Sequence, residues 1–276
     1  MIHVKLTNGF GNNLFQYTAA KVLAEFHNTG VVAIPVVDNY YAINDLKMIG
    51  VNFATKQKPK DLLEANDKNY ISFFDKKFND CNILLSGYFE DYRYYYKMRN
   101  KIKSWFPPLN KENNNDLVVH MRTGDRLFMK NEFYMKPTAK DYLSAVEKFD
   151  FNKMHIVTDM PKWDYITKEE LKNMNFHVNI PSDQSVPIEE SVEYFNSFVE
   201  GFSKYNPIIK KRTIYEDFSF IRNSDNILFE HGTLSWWAAF LSEAKKVGVY
   251  GPWRPWKGQS NKNLSNIPLK EWFKWE

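Results

Sequence analysis

The chain has 276 residues and a formal net charge of +4, a balance that suits an anionic small ligand and lacks the clustered basic signature of a nucleic-acid binder. Charged residues make up 25% and hydrophobic residues 43% of the sequence, which excludes a disordered chain. The single cysteine, Cys81, excludes an internal disulfide, and no stretch approaches the roughly 18 apolar residues of a membrane span, so we expect a cytoplasmic protein.

The beginning of the chain predicts a βαβ unit. Ile2, Val4 and Leu6 alternate with polar residues, as in a strand. A turn rich in glycine and asparagine follows over 7–13, and residues 14–26 are good helix formers with apolar positions at helical spacing. A second buried strand is predicted over 31–37.

The rest of the chain alternates predicted strands and helices. The strand candidates are 83–85, 117–121, 154–158, 176–180, 227–229 and 247–250, and the helix candidates are 94–105, 140–149, 163–174, 213–222 and 234–244. This alternation favours parallel sheets covered on both faces. Segment 107–115 contains prolines and asparagines that cannot sustain a helix or strand, so we place a domain boundary there. The predicted domains are 1–110 and 111–276.

The turn after the first strand is the first candidate binding motif. It consists of Gly9, Phe10, Gly11, Asn12 and Asn13. Its glycines allow close backbone approach, and amides at the start of the following helix suit an anion. Leu14 stands where the dinucleotide fingerprint has its third glycine, which disfavours a dinucleotide site. A tight turn without a ligand is the open alternative.

The second motif stands at the end of the apolar strand 117–121. It contains His120, Arg122, Thr123, Gly124 and Asp125. Alternation places His120 and Arg122 on one face while the strand continues. The planar guanidinium of Arg122 can bind a phosphate through paired donors, and Asp125 can orient it or accept a proton. An Arg–Asp pair that ties the strand to its loop is the alternative.

The third and fourth motifs also follow predicted strands. Asp159 can accept N–H donors from a base or hydroxyls from a ribose, or it can cap a helix that begins near Pro161. The fourth is a small, hydroxyl-bearing turn formed by Gly232, Thr233, Leu234 and Ser235. Its hydroxyls and helix-start amides can bind a diphosphate. Trp236 and Trp237 are expected to pack in the core.

Taken in order, these motifs resemble those of the alpha-1,2-fucosyltransferase family, from residue 1 to about residue 253. Segment 9–17 resembles that family's opening G-G-L-G-N-Q-L-F-Q-Y, and segment 87–91, with Tyr94 and Arg99, resembles its G-Y-F-Q. Segment 120–125 resembles H-x-R-R-G-D, the family's most characteristic signature. Thr158-Asp159-Met160 stands where S-D-D is usual, and segment 232–237 resembles S-T-F-S-W-W.

The resemblance implies a fold of GT-B type, in which two Rossmann-like α/β domains face each other across a cleft, with the N-terminal domain on the acceptor side. It implies inverting transfer of L-fucose from GDP-beta-L-fucose to a sugar hydroxyl, such as the 2-OH of a galactoside, without a bound metal.

The resemblance also implies roles by position. Arg122 would hold the donor diphosphate and Asp159 would face the nucleoside. Asp125 and His120 are the candidate proton acceptors, and His120 can instead be a packed strand residue that orients Arg122. The residues expected to contact the donor are Gly9, Gly11, Asn12, Asn13, Arg122, Asp159, Gly232, Thr233, Leu234 and Ser235.

Two departures from the family pattern leave the donor sugar open: Thr123 replaces the second arginine, and Leu234 replaces a phenylalanine. The alternatives are a transferase that uses another GDP-sugar and a non-catalytic nucleotide- or glycan-binding module. Segments 39–47 and 130–136 are the candidate acceptor loops. The tryptophan-rich segment 253–276 is expected to pack back on the N-terminal domain, with peripheral membrane contact as the alternative. The sequence does not predict the oligomeric state.

Overall fold

The structure is a computed structural model, and it describes residues 1–35, 43–53, 62–78, 82–107, 110–111, 114–122, 138–158, 188–230, 232–250 and 269–275. The described strands are β1 (Ile2–Leu6), β2 (Val31–Pro35), β3 (Leu62–Ala65), β4 (Asn82–Leu85), β5 (Leu117–Met121), β6 (Met154–Thr158), β7 (Ile208–Ile209), β8 (Asn226–Phe229), β9 (Lys246–Tyr250) and β10 (Phe273–Trp275). The described α-helices are α1 (Phe10–His27), α2 (Ile43–Met48), α3 (Arg99–Ser104), α4 (Ala139–Val146), α5 (Ile188–Gly201), α6 (Ile214–Arg222) and α7 (Thr233–Leu241). Short 3₁₀ helices lie at Tyr70–Phe74, Tyr92–Tyr94, Tyr96–Met98 and Ser203–Tyr205.

The described strands form two parallel sheets. One has four strands in the order β2-β1-β4-β3, and the other has six in the order β10-β9-β8-β5-β6-β7. The predicted α/β class with two parallel sheets is therefore confirmed. That the two domains face each other across a cleft stays a prediction.

The predicted helix over 94–105 is broken into shorter pieces. Two 3₁₀ helices, Tyr92–Tyr94 and Tyr96–Met98, precede α3. Helices α4 and α6 begin within a residue or two of their predicted starts, because Thr138 and Thr213 form capping boxes with residues three positions on. The predicted helix 163–174 and strand 176–180 lie outside the described residues.

The chain divides into two compact units: Met1–Leu109 with Thr233–Leu241, and Asn110–Gly232 with Ser242–Glu276. The division falls within the predicted linker 107–115. Helix α7 is part of the first unit, whereas the predicted second domain, 111–276, contains its residues. Aromatic packing explains why α7 belongs to the first unit. The ring centroid of Phe15 lies 4.6 Å from that of Trp236 and 5.0 Å from that of Trp237.

The end of the chain is described over residues 269–275, which belong to the second unit. That the tryptophan-rich segment 253–276 packs back on the N-terminal domain stays a prediction. Strand β10 pairs in parallel with β9, and the ring of Phe273 lies 5.3 Å from that of Phe149. The ring centroids of Trp272 and Phe229 lie 5.5 Å apart. The open edge of β9 and these apolar rings together explain where the segment packs. Trp253 and Trp256 lie outside the described residues.

No helix in the described part of the chain is long and apolar enough to cross a membrane.

His27, at the end of α1, forms two hydrogen bonds with the backbone of segment 73–78, which precedes β4. His27 Nε2 lies 3.0 Å from the Phe73 carbonyl oxygen, and its Nδ1 accepts the Phe78 N–H at 3.2 Å. A neutral ring that carries its proton on Nε2 satisfies both bonds, whereas a proton on Nδ1 breaks the second. Burial lowers the pKa of His27 below its ordinary value of 6.5, against the opposing effect of the Phe73 hydrogen bond, and the charge of Lys77 lowers it further.

We expect the stability of the protein to fall as the pH drops below about 6.5. Because the folded-state pKa of His27 is lowered, its contribution is complete above the unfolded-state value and is lost on acidification. Burial lowers the pKa of His3 as well, so it adds to the same slope. Urea midpoints at about pH 7.5 and pH 5.5 measure the effect. The substitution His27→Gln should make the dependence shallower, and an unchanged slope in this variant would contradict the assignment.

Candidate functional site

The loop between β1 and α1 is held by two buried amide side chains. Gln16 Oε1 accepts the Thr7 N–H at 2.9 Å, and Gln16 Nε2 donates to Thr7 Oγ1 at 2.7 Å. Asn13 Nδ2 donates to the Thr7 carbonyl oxygen at 2.8 Å. Asn13 therefore shapes the turn, and its predicted contact with the donor stays a prediction. Gly9, the last residue of the turn, is the N-cap residue of α1.

The starts of α1 and α7 meet at Gly11. A Cβ atom at this position would collide with the backbone of Thr233 and Leu234, and it would lie 2.5 Å from Thr233 Oγ1. Beside this contact, Thr233 Oγ1 donates a hydrogen bond to Asn12 Oδ1 at 2.6 Å. Residues that are more than 200 positions apart in the sequence thus come together because one of them has no side chain.

Two helix N-termini therefore lie next to each other. The first amides of a helix have no partner within it, and aligned peptide dipoles place partial positive charge there. Neither of these described first turns contains an acidic residue, and Gly9 has no side chain with which to cap α1. The charge at this place suits a phosphate group or another compact anion.

Aromatic side chains of the first unit pack against α7 and fix its position. Trp236 and Trp237 are both completely buried, which confirms that they pack in the core. Trp237 lies 5.4 Å from the ring of Tyr95. Arg99 Nε donates to the Phe240 carbonyl oxygen at 2.7 Å, near the end of α7, where a positive charge is favourable. The position of the α7 start is thus set by a rigid apolar cluster.

In the second unit, Arg122 and Glu230 lie at the carboxyl ends of neighbouring strands. Arg122 follows β5 and Glu230 follows β8, and the two strands are hydrogen-bonded in parallel up to the pair His120–Phe229. The Arg122 N–H donates to Glu230 Oε1 at 2.7 Å. Glu230 is only 4% exposed. Its carboxylate therefore fixes the backbone from which the Arg122 side chain projects.

Sequence reasoning placed Glu230 at the start of the fourth motif but assigned it no role, although a usable signal was present. It directly follows the apolar strand 227–229, as Asp159 follows 154–158. The structure also brings Tyr194 of α5 close to this carboxylate. Burial raises the pKa of Tyr194 well above its ordinary value, and the negative charge of Glu230 raises it further. The phenol therefore keeps its proton at neutral pH.

His120 is 6% exposed within β5, opposite Val157 and Phe229 of the neighbouring strands. This burial favours the interpretation of His120 as a packed strand residue over that of a proton acceptor.

The structure brings one group of predicted residues together in the first unit: Gly9, Gly11, Asn12, Asn13, Thr233, Leu234 and Ser235. His120, Arg122 and Gly232 belong to the second unit. Asp125 and Asp159, as well as Thr123 and the candidate acceptor loop 130–136, lie outside the described residues. Among the side chains that the structure describes, no three histidine, cysteine or carboxylate groups gather as metal ligands would.

No protein-family model matches the chain, and no curated protein matches it in sequence. Among solved structures, the NodZ alpha-1,6-fucosyltransferase soaked with GDP-fucose is 11% identical, with 87% of this chain and 92% of that chain covered and a TM-score of 0.45. The same enzyme co-crystallised with GDP is also 11% identical over the same shares, with a TM-score of 0.42. The fucosyltransferase NodZ from Bradyrhizobium is 10% identical over 87% of this chain and 93% of that chain, with a TM-score of 0.41.

Proposed function

We propose that the protein is a glycosyltransferase that moves L-fucose from GDP-beta-L-fucose to a hydroxyl of a glycan, with inversion and without a metal cofactor. The observation that carries this proposal is the close contact between the N-termini of α1 and α7 at Gly11. The hydrogen bond from Thr233 to Asn12 stabilises this contact. The residues at this contact are among those by which the sequence resembles the alpha-1,2-fucosyltransferases. The favoured acceptor group is the 2-OH of a galactoside.

Transfer from a nucleotide sugar requires stabilisation of the departing diphosphate. Negative charge grows on its oxygens as the bond to the sugar breaks, and preorganised amides and hydroxyls lower the energy of that state. In the proposed mechanism the amides at the start of α7 bind the diphosphate, and the hydroxyl of Thr233, which donates to Asn12 Oδ1, holds the starts of α7 and α1 together. The start of α1 adds partial positive charge and brings Gly11 and Asn12 against the reacting sugar.

Arg122 contacts the same diphosphate through its guanidinium in this proposal. A guanidinium remains charged at every physiological pH and presents paired donors that match phosphate oxygens. Glu230 holds the Arg122 backbone and thereby limits the positions that the guanidinium can take. Asp159 is proposed to contact the nucleoside, and Asp125 to accept the proton from the acceptor hydroxyl.

Calorimetric titration with GDP, UDP and ADP, each in the presence of EDTA, tests the proposal. We expect GDP alone to bind. A panel of GDP-sugars and acceptors then identifies the donor sugar, which the threonine at position 123 leaves open. Binding of UDP or ADP, or of GDP only after a metal is restored, would contradict the proposed donor. A protein that binds none of the three would not be a GDP-sugar transferase.

A further inference from the structure

The loop that follows β4 has no role in the mechanism above, yet its backbone is strained. Phe89 has a φ of 55°, in the left-handed region, although its side chain is a bulky ring that is completely buried. Asn8, in the loop after the neighbouring strand β1, has a φ of 63°. Strain of this kind persists where the surroundings over-determine a conformation, and it is concentrated at ligand-binding sites.

Four hydrogen bonds hold the strained loop. The Asp67 carboxylate accepts the Tyr88 N–H at 2.9 Å and the Phe89 N–H at 2.6 Å. Tyr95 Oη donates to the Phe89 carbonyl oxygen at 2.6 Å, and Gln16 Nε2 donates to that of Gly87 at 3.1 Å. The backbone on both sides of Tyr88 is therefore fixed by groups from elsewhere in the first unit.

These four hydrogen bonds fix the position of Tyr88. It is half-buried, and its Oη accepts a hydrogen bond from Asn8 Nδ2 at 2.6 Å. Strands β1 and β4 are the two central strands of their sheet, so both residues lie beyond carboxyl ends where ligands of parallel sheets bind. Asn8 immediately precedes Gly9, and the pair thus lies next to the start of α1.

We propose that Tyr88 and Asn8 bind one sugar ring of the acceptor glycan, an inference that rests on the proposed function. A pyranose has a C–H face that packs against an aromatic ring, and its hydroxyls exchange hydrogen bonds with phenol and amide groups. Neither Tyr88 nor Asn8 carries a charge that would attract a phosphate, in contrast to the neighbouring helix starts. A purine base is the competing occupant of the ring face.

Saturation-transfer NMR with methyl β-D-galactopyranoside, in the absence of any donor, tests the inference. We expect transfer from the unchanged protein and a loss of binding of about tenfold or more in Tyr88→Ala. The control is Tyr96→Ala, which removes another tyrosine of the first unit that is 47% exposed and should leave binding unchanged. Equal signals in Tyr88→Ala and the unchanged protein, or no transfer from the unchanged protein, would overturn the inference.

GDP titration of the same variants separates this inference from the proposed function. We expect Tyr88→Ala to bind GDP as the unchanged protein does, and a loss of GDP affinity would assign the ring to the nucleotide and overturn the inference. A protein that binds GDP without Tyr88-dependent sugar binding contradicts the inference alone. A protein that shows Tyr88-dependent sugar binding without binding GDP contradicts the proposed function alone.

A second variant tests whether the strained loop positions Tyr88. The substitution Asp67→Ala removes the acceptor of two N–H groups while the tyrosine remains, and we expect galactoside binding to fall about as far as in Tyr88→Ala. Asp67→Asn keeps one acceptor oxygen and should recover part of the binding. Full galactoside binding in Asp67→Ala would show that the carboxylate does not position the ring.

Discussion

Replacing Gly11 by alanine is expected to reduce the proposed fucosyl transfer by about a hundredfold and to weaken the proposed GDP binding. The new methyl group would collide with the backbone of Thr233 and Leu234, which cannot rotate away as a flexible side chain could. The starts of α1 and α7 must therefore separate, and the groups proposed to bind the diphosphate lose their positions. Turnover with saturating GDP-fucose and calorimetric GDP affinity measure the two effects.

Gly30→Ala is the matched control, since a Cβ atom at that glycine would meet nothing within 4 Å. It should keep normal turnover and GDP affinity. A Gly11→Ala variant that also behaves normally would show that the close approach of the two helices is not used in binding. Thermal melting of both variants separates this effect from unfolding, because overpacking costs only about 1–3 kcal/mol of stability.

The main elements of the fold could be predicted from local sequence patterns, but their partners could not. Strands β1, β5 and β6 have their predicted bounds, because their apolar residues end at a polar residue or a glycine turn. Helix α1 begins at Phe10, four residues earlier than predicted, since asparagine and glycine in its first turn have the composition of a loop. The edge strand β3 was missed because such a short strand depends on the neighbour to which it is hydrogen-bonded.

The sequence contained a helix signal that was not used. Helix α5 buries Phe195 and Phe198, and Phe202 continues the same spacing just after its end, which is a helical period. The sequence likewise predicted a helix near α7 but did not indicate which residues it packs on. An apolar helix face indicates that the helix packs, whereas the surface that it packs on follows from the shapes of distant side chains such as Phe15.

The candidate site shows the same limit. Motif order indicated Gly11 and Thr233 separately, and their contact required the folded chain. The left-handed backbone of Phe89 has no sequence signal, because an aromatic residue is not expected there and the conformation is maintained by Asp67 and Tyr95. Local patterns therefore predict the elements that carry a site better than they predict the contacts that shape it.

Replacing Arg122 by alanine is expected to lower transfer at least about a hundredfold while the fold is retained. The guanidinium is proposed to stabilise the charge that develops on the departing diphosphate, so its removal acts on the transition state. The fold should survive because Glu230 Oε1 accepts the backbone N–H of residue 122, which alanine also provides. Turnover, GDP affinity and melting temperature together measure these effects.

Two further variants define what Arg122 contributes. Arg122→Lys keeps the charge but loses the paired, planar donors, and it should recover only part of the lost rate. Arg93→Ala removes an arginine whose side chain is 58% exposed, and surface pairs such as its bond to Asp91 add little stability, so turnover should be unchanged. Near-normal turnover in Arg122→Ala would remove this residue from the diphosphate site. Full recovery with lysine would show that a positive charge alone is sufficient, and that the paired, planar donors of the guanidinium are not used in the reaction.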